Sequence, residues 1–286
     1  MTDAAPSAID LVALAADVEW TDAAAAASAR AETRVADGRL AELVEWLAST
    51  QGRYPPERPA RPRCIVMGPV SDSTAAIAET FDVGVRSVDV AADASVSAAL
   101  TAGAAAADDE VDAGADLLIV ADPDSSAAPA VLVSLLTGAE PVALLPRGAA
   151  ATDTAAWISR AEYLRDARRR VAQLRGRPDE LLAELDHPPL AATTAFLLRA
   201  AGRRTPIILD GSAAAAAALL GYETQSRAGR WWRLADTSSD PVHARVAEEL
   251  VQRPLLDLGT SSGDGTAGLL ALAVLRAAVH LGVPHE

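Results

Sequence analysis

The sequence predicts a three-layer α/β protein, in which helices cover both faces of a mostly parallel, Rossmann-like sheet and the N-terminal segment adds a small helical lobe. From residue 64 onward, short apolar runs alternate with longer stretches at helical spacing, which is the pattern of successive βαβ units. The runs are apolar throughout rather than alternating, as expected for strands that are covered on both faces. With 286 residues, 50% of them hydrophobic, the chain is long enough to build a large core.

The N-terminal part of the chain differs from the rest. Residues from Asp22 to Ser49 place alanine, leucine and charged side chains at helical spacing, and the stretch from Gln51 to Pro62 is rich in proline. These features predict two helices that pack outside the main sheet. We therefore divide the chain into an N-terminal helical segment, residues 1–62, and an α/β domain, residues 63–286, on which that segment packs.

The remaining elements follow from the alternation of apolar and helical stretches. The predicted strands are Cys64–Met67, Val85–Val90, Leu117–Val120, Pro141–Leu145, Pro206–Leu209 and Leu255–Leu258. The predicted helices are Val96–Val111, Ala127–Leu136, Asp153–Leu174, Leu190–Gly202, Ala213–Leu220 and Thr266–His280, with another starting at Pro241 and a short one bracketed by prolines between Arg175 and Pro189.

Composition excludes several classes of function. A formal net charge of −14 argues against a nucleic-acid partner, and no uncharged apolar run is long enough for a membrane span. The N-terminus lacks the features of a signal peptide, so we expect a cytoplasmic protein with no membrane partner. All 25 basic residues are arginine, which rules out a lysine Schiff base or a Walker-type phosphate loop.

Metal and disulfide chemistry are equally unsupported. Cys64 is the single cysteine and lies in an apolar run, so we expect a buried structural thiol. His243 has no second histidine or cysteine at ligand spacing. The expectation is a protein without a metal site and without a cofactor.

Polar residues follow several of the predicted strands, at the edge where parallel sheets bind ligands. These loops contain Asp122-Pro123-Asp124-Ser125-Ser126, Pro146-Arg147-Gly148, Asp210-Gly211-Ser212 and Gly263-Asp264-Gly265-Thr266. A further polar group from Asp236 to His243 would cover the same edge. Helix capping is an alternative explanation, since Asp264 or Thr266 could cap the last helix and Ser239 or Asp240 the helix at Pro241.

The last third of the chain contains a series of motifs in a fixed order. They are Asp210-Gly211 before an alanine-rich helix, Trp231-Trp232, Ser238-Ser239-Asp240-Pro241 with His243, Pro254–Leu258, and Gly263-Asp264-Gly265-Thr266. This series resembles the nicotinate-nucleotide:dimethylbenzimidazole phosphoribosyltransferases, and the likeness extends upstream through Asp112–Ile119 and Leu136–Ala143. That family makes the α-ribazole phosphate of the cobalamin lower ligand. The resemblance implies nicotinate mononucleotide and a benzimidazole-type base as small-molecule partners, and a homodimer.

The resemblance also implies roles for individual residues. In the family, a benzimidazole nitrogen displaces nicotinate from the ribose, and a glutamate in a Gly-Glu-Gly-Thr loop takes the proton of that nitrogen. Asp264 stands in the place of this glutamate and Arg160 in the place of a family lysine, so Arg160 with Ser238 and Ser239 would hold the phosphate. The other candidate substrate-binding residues are Asp122, Asp210, Gly211, Asp240, His243, Gly263 and Gly265.

Two loops depart from the family pattern. The glycine-rich loop near the phosphate is replaced by Ala121–Ser126, and a Gly-Thr-Gly loop is replaced by Gly148-Ala149-Ala150. The chain is also short after its first strand, where the family holds the benzimidazole. Two hypotheses therefore stand: an active phosphoribosyltransferase, or a catalytically degraded paralogue that acts as a non-enzymatic binding or regulatory protein.

Overall fold

A fully parallel sheet of five strands forms the centre of the protein in a computed structural model that describes residues 9–35, 38–146 and 153–283. The strands are β1 (Pro62–Val66), β2 (Gly84–Ser87), β3 (Leu117–Ala121), β4 (Ile207–Asp210) and β5 (Trp232–Leu234), arranged in the order β2-β1-β3-β4-β5. Cys64 pairs with Ile119 and Ile119 pairs with Ile208, so the central strands end at nearly the same level. The predicted fold class is confirmed.

Helices connect the strands and cover both faces of the sheet. They are α1 (Leu11–Ala16), α2 (Ala23–Glu32), α3 (Arg39–Gln51), α4 (Asp72–Thr80), α5 (Val96–Asp112), α6 (Ala128–Thr137), α7 (Thr154–Val171), α8 (Pro178–Leu185), α9 (Pro188–Gly202), α10 (Ser212–Thr224), α11 (Pro241–Glu249) and α12 (Thr266–Gly282). None of these helices is both long and apolar enough to cross a membrane.

The core has two parts because successive strand residues point to opposite faces of the sheet. On one face, Leu118 and Val120 of β3 pack among apolar side chains of α1 and of α5 through α11. On the other face, Leu117 and Ile119 pack against α2, α3, α4 and α12. Cys64 lies in this second part as a buried free thiol, as expected, and burial raises its pKa to about 12.

Of the N-terminal helices, α2 and α3 pack on the second face of the sheet and α1 packs on the first. Helices α2 and α3 correspond to the two helices predicted in this part of the chain, although α3 continues to Gln51, and α3 buries Trp46 and Leu47 in the core beneath α12. The chain between α2 and α3 is tied to the end of α12, since the Thr33 hydroxyl and the Arg34 N–H both donate to the Gly282 carbonyl. The division of the chain at residue 62 stays a prediction.

Two predicted strands are wrong. Residues Pro141–Leu144 form a 3-10 turn in which Val142 is exposed. A short apolar run that begins with proline is compatible with such a turn as well as with a strand. The run Leu255–Leu258 makes a single parallel bridge, from Leu256 to Asp236 at the open side of β5. It goes no further because the Leu258 N–H donates to the Asp236 carboxylate instead of a neighbouring strand, and the Leu258 side chain is exposed.

Three elements are additional to the prediction, namely β5, α4 and α1. Strand β5 contains Arg233 between Trp232 and Leu234, which interrupts its apolar pattern. The Arg233 guanidinium is nevertheless accommodated over the ring of Trp46, with 5.1 Å between the guanidinium carbon and the ring centroid. Strand β2 ends at Ser87 rather than at Val90.

Candidate active site

The candidate site lies at the carboxyl ends of the strands, where three neighbouring strands each have a carboxylate at or just beyond the end of the strand. Asp122 follows β3, Asp210 is the last residue of β4, and Asp236 comes two residues after β5. The chain runs from β1 outward to β2 and then returns to β3 on the other side, so β1 and β3 flank a topological switch point. Such switch points open a crevice for ligands in parallel sheets.

A cavity of about 440 Å³ opens beside this crevice, a volume in the range of small-molecule sites. Its walls come from the loop after β3, the segment before residue 147, α7, the starts of α6, α10 and α11, and the loop before α12. The lining residues are Asp122, Pro123, Asp124, Ser125, Ser126, Ala127, Pro129, Ala130, Leu144, Leu145, Pro146, Arg160, Leu164, Ser212, Asp240, Val242, Ser261, Ser262 and Gly263. One wall is apolar and the other is rich in hydroxyl and carboxylate groups.

The Asp264 carboxylate lies at the switch point, between the loop after β1 and the loop before α12. Its Oδ2 accepts hydrogen bonds from the Ser71 hydroxyl at 2.9 Å and the Ser73 hydroxyl at 3.3 Å. Its Oδ1 accepts from the Ser262 hydroxyl at 2.9 Å and the Thr266 N–H at 3.1 Å. Burial acts to raise the pKa of Asp264, but these hydrogen bonds outweigh burial and hold the pKa below its usual value.

Asp210 lies beneath Asp264 and is almost fully buried. Its Oδ2 accepts the Gly268 N–H of the first turn of α12 at 3.0 Å. Burial and then the neighbouring charge of Asp264 raise the pKa of Asp210 to about 6, although backbone N–H donors oppose the shift. Asp210 therefore joins the end of β4 to the start of α12.

Glycines let the site loops approach one another closely. Gly211, with φ +95°, and Gly263, with φ +61°, face each other, and a Cβ on Gly211 would lie 2.6 Å from the Gly263 Cα. A Cβ on Gly263 would lie 2.7 Å from the Asp122 carbonyl oxygen. Gly265, with φ +102°, faces the Cys64 sulfur at 3.0 Å from its own Cβ position. Any larger side chain would separate these loops.

Asp122 is buried at the base of the cavity. Its carboxylate accepts the Thr193 hydroxyl of α9 at 2.8 Å and the Asp124 N–H at 3.1 Å. Burial raises the pKa of Asp122 to about 6, more than these hydrogen bonds lower it. The side chain is thus held by α9, and Asp124 beside it is more accessible to the cavity.

The loop between β5 and α11 supplies the other candidate residues. Asp240 caps α11 by accepting the Val242 N–H at 2.9 Å, and it accepts the Ser212 hydroxyl at 2.5 Å across the cavity. Ser238 accepts the Asp240 N–H at 3.2 Å and Ser239 is exposed, but neither belongs to the described residues that line the cavity. His243 is buried in α11, and burial lowers its pKa against the opposing charges of Asp240 and Asp236.

A family profile described as phosphoribosyltransferase matches residues 85–283. The chain belongs to this family. It is 37% identical over 326 residues to the nicotinate-nucleotide–dimethylbenzimidazole phosphoribosyltransferase of Mycobacterium tuberculosis, covering 92% of this chain and 90% of that one. It is 32% identical over 302 residues to the enzyme of the same name from Streptomyces avermitilis, covering 85% and 80% of the two chains.

A solved structure agrees with the sequence relatives. The crystal structure of CobT from Thermus thermophilus matches with a TM-score of 0.77 and 25% identity, covering 90% of this chain and 95% of that chain. The resemblance stated from the motifs is therefore confirmed. The positions of site residues within the family remain those that the motifs imply.

Among the residues expected to hold phosphate in this phosphoribosyltransferase, Arg160 extends from α7 to line the cavity. Among the described residues that line the cavity, Arg160 is the only one with a positively charged side chain. Arg147 and the loop Gly148-Ala149-Ala150 lie outside the described residues. The altered loop after β3 does line the cavity, through Asp124, Ser125 and Ser126.

Ser71 and Ser73 were not singled out from the sequence as site residues, and Ser212 and Asp236 were named only as parts of polar segments at this edge of the sheet. Ser71 and Ser73 hold Asp264 from the loop after β1, Ser212 holds Asp240, and Asp236 holds the loop before α12 through the N–H groups of Leu258 and Thr260. The available signal was the pairing of serines with carboxylates at strand ends. It was insufficient because Ser71 and Asp264 are separated by 193 residues.

Proposed function

We propose that this phosphoribosyltransferase transfers phosphoribose from nicotinate mononucleotide to a nitrogen of a benzimidazole-type base. The product would be an α-ribazole phosphate, the lower-ligand nucleotide of cobalamin. The observation that carries the proposal is the hydrogen-bonded Asp264 carboxylate at the switch point, next to a cavity that Arg160 lines.

The reaction requires a base, because the heterocycle must lose its N–H proton as the other ring nitrogen attacks. The nitrogen attacks C1′ of the ribose, the bond from C1′ to the nicotinate nitrogen breaks, and its electron pair returns to the pyridine ring. A carboxylate supports this step by receiving the proton of the attacking heterocycle. The lowered pKa of Asp264, which hydrogen bonds maintain against burial, keeps the group ionised at neutral pH.

Phosphate binding is supported by the start of α10 as well as by Arg160. Helix α10 begins beside the cavity, and its N-cap residue Gly211 makes no side-chain capping bond. Helix α6 offers less, since the Ala128 N–H donates to Ser126 Oγ at 3.3 Å and Pro129 has no N–H. Free N–H groups and the positive end of a helix dipole favour anions. These features offer a phosphate site in place of the glycine-rich loop that this chain lacks.

The apolar wall of the cavity suits the planar ring that leaves. Leu144, Leu145 and Leu164 are buried side chains on this wall, and Val242 continues it. An aromatic ring gains free energy by leaving water for such a surface. This arrangement supports binding of the nicotinate moiety beside the polar wall that would hold ribose and phosphate.

The test is to incubate the purified protein with nicotinate mononucleotide and a panel of benzimidazoles, purines and phenols, and to measure released nicotinate. We expect turnover with at least one benzimidazole, and a loss of about 10²–10⁴-fold in kcat for Asp264→Asn. Asp257→Asn is a matched control, since Asp257 is an exposed carboxylate of the same loop that accepts the Thr237 hydroxyl at 2.6 Å. A folded protein with no turnover on any base would instead support the degraded paralogue.

A further inference from the structure

Ser262 connects the cavity to the candidate base. Its exposed side chain lines the cavity, and its hydroxyl donates to Asp264 Oδ1 at 2.9 Å. Asp264 itself is half-buried behind this serine and is not among the described residues that line the cavity. A ligand in the cavity therefore meets the Ser262 hydroxyl before it meets the carboxylate.

The Asp264 carboxylate has no acceptor position left for a ligand. A carboxylate offers about four lone-pair sites, and Asp264 accepts from Ser71, Ser73, Ser262 and the Thr266 N–H. Any proton that reaches Asp264 must displace one of these donors or pass through it.

The four donors are not equivalent. The Thr266 N–H is part of the backbone at the start of α12, and Ser71 is fixed as the N-cap of α4, where it accepts the Thr74 N–H at 3.1 Å. Ser73 is exposed but lies farther from the carboxylate, at 3.3 Å, and is not among the cavity-lining residues. Ser262 alone among these described donors combines a short hydrogen bond to Asp264 with a place in the cavity wall.

We propose that Ser262 relays the proton from the attacking heterocycle to Asp264. As the nitrogen forms its bond to C1′ and the bond to nicotinate breaks, the heterocycle's N–H proton moves to Ser262 Oγ. The proton already on Ser262 Oγ moves to Asp264 Oδ1 in the same step, so the serine ends as a neutral hydroxyl. This inference rests on the proposed function, because it assigns a further catalytic residue to that reaction.

The experiment compares Ser262→Ala and Ser262→Thr with the unaltered protein, from about pH 3.5 to pH 9 so that the acidic limb set by Asp264 is included, using nicotinate mononucleotide and the best base. Removing the hydroxyl should lower kcat at the high-pH plateau by about 100-fold, the lower end of the range of a proton-transfer contribution. The KM for nicotinate mononucleotide should stay within about twofold, and threonine, which keeps a hydroxyl, should restore most of the rate.

The control is Thr237→Ala, which removes another hydroxyl that donates to a carboxylate near the site, that of Asp257. It should leave kcat unchanged. Circular dichroism and the melting temperature of Ser262→Ala should match those of the unaltered protein, so that a loss of rate reports chemistry rather than folding.

A purely electrostatic role for Ser262 gives a different pH profile. If the hydroxyl only lowers the pKa of Asp264, then Ser262→Ala shifts the acidic limb to higher pH and keeps the plateau, which would overturn the relay. A double-mutant cycle adds a second criterion, since Ser262→Ala should cost little in an Asp264→Asn background. Full additivity would also overturn the relay.

The relay and the proposed function fail in distinguishable ways. Turnover by the unaltered protein with an unchanged kcat in Ser262→Ala rejects the relay and leaves the proposed function standing. Absence of turnover in the unaltered protein with every base rejects both.

Discussion

Burial disfavours the charged form of the carboxyl groups of Asp122 and Asp210. Each has a folded-state pKa of about 6, against an ordinary value of 3.8. Between these values the folded state binds more protons than the unfolded state, so stability falls as pH rises through this window. Above pH 6 the full cost is present, on the order of 3 kcal/mol for each residue.

Asp122→Asn should therefore stabilise the protein, and more so at higher pH. The amide can accept the Asp124 N–H and donate to Thr193 Oγ1, whose own proton can go to the Pro189 carbonyl at 2.9 Å. We expect the gain in unfolding free energy over the unaltered protein to grow by on the order of 1 kcal/mol between pH 5 and pH 7.5. Urea unfolding at both pH values measures this difference.

The pH dependence is the decisive part of that measurement. A gain that is equal at pH 5 and pH 7.5 would mean that the ionisation of Asp122 carries no cost in the folded protein. Asp257→Asn, at an exposed position, should change stability by less than about 0.5 kcal/mol at either pH.

At the scale of single residues, sequence patterns located acidic groups better than they described their environment. Asp122, Asp210 and Asp264 were placed at one edge because they follow apolar runs. Asp264 combines the two roles considered for it, since it accepts the Thr266 N–H at the start of α12 and also lies at the switch point. The burial of Asp122 could not be predicted, because its partner Thr193 is 71 residues away in the chain.

At the scale of elements, the long helices and the central strands β1, β3 and β4 were predicted closely, whereas two other short apolar runs are not strands of the sheet. The predicted helix Val96–Val111 differs from α5 by one residue, because a long amphipathic pattern determines its own conformation. Leu255–Leu258 and Pro141–Leu145 have too few residues for periodicity to distinguish a strand from a turn. Strand β5 was not predicted because Arg233 interrupts its apolar pattern. The cation–π contact with Trp46 that accommodates Arg233 depends on tertiary structure and cannot be read from the local sequence.

The packing of α12 on β3 depends on Gly268. A Cβ at this position would lie 2.3 Å from Ile119 Cγ2, so Gly268→Ala must move the helix away from the sheet. Alanine gains about 1 kcal/mol in helix propensity, but overpacking of a core costs about 1–3 kcal/mol. We expect a net loss of stability by urea unfolding, together with a loss of turnover, because the same helix start binds Asp210 and Asp264.

Adding Ile119→Ala to Gly268→Ala tests the cause of that loss. The second substitution removes the clashing methyl group, so the double variant should be more stable than the sum of the two single effects predicts. Strict additivity would mean that Gly268 and Ile119 do not compete for the same space.

At the scale of the whole molecule, the site joins segments that lie far apart in the chain. Ser71 contacts Asp264 across 193 residues, and Ser212 contacts Asp240 across 28. The motif resemblance anticipated that these segments share a site, whereas the alternation of strands and helices alone located only the sheet edge. The homodimer and the boundary at residue 62 remain predictions.

Binding of nicotinate mononucleotide should stabilise the whole fold, because the cavity is built from the loops that follow β3, β4 and β5 together with α7 and the loop before α12. A ligand at 100 times its dissociation constant adds about 2.7 kcal/mol to the free energy of unfolding. The melting temperature of the unaltered protein should rise with ligand concentration. In Arg160→Ala the rise should be much smaller, because the variant removes the cation of the described cavity lining. Arg165→Ala is the matched control, since Arg165 lies on the same helix but pairs with Asp166 at 2.9 Å.

Asp264→Asn separates binding from chemistry in the same measurement. Because Asp264 is assigned to proton transfer and lies behind Ser262, its amide variant should keep the ligand-induced rise in melting temperature while losing turnover. An equal rise in Arg160→Ala and in the unaltered protein would remove Arg160 from phosphate binding. A rise lost in Asp264→Asn would mean that this carboxylate organises the nucleotide pocket itself, since a group that acts only on the attacking base has no reason to alter nucleotide affinity.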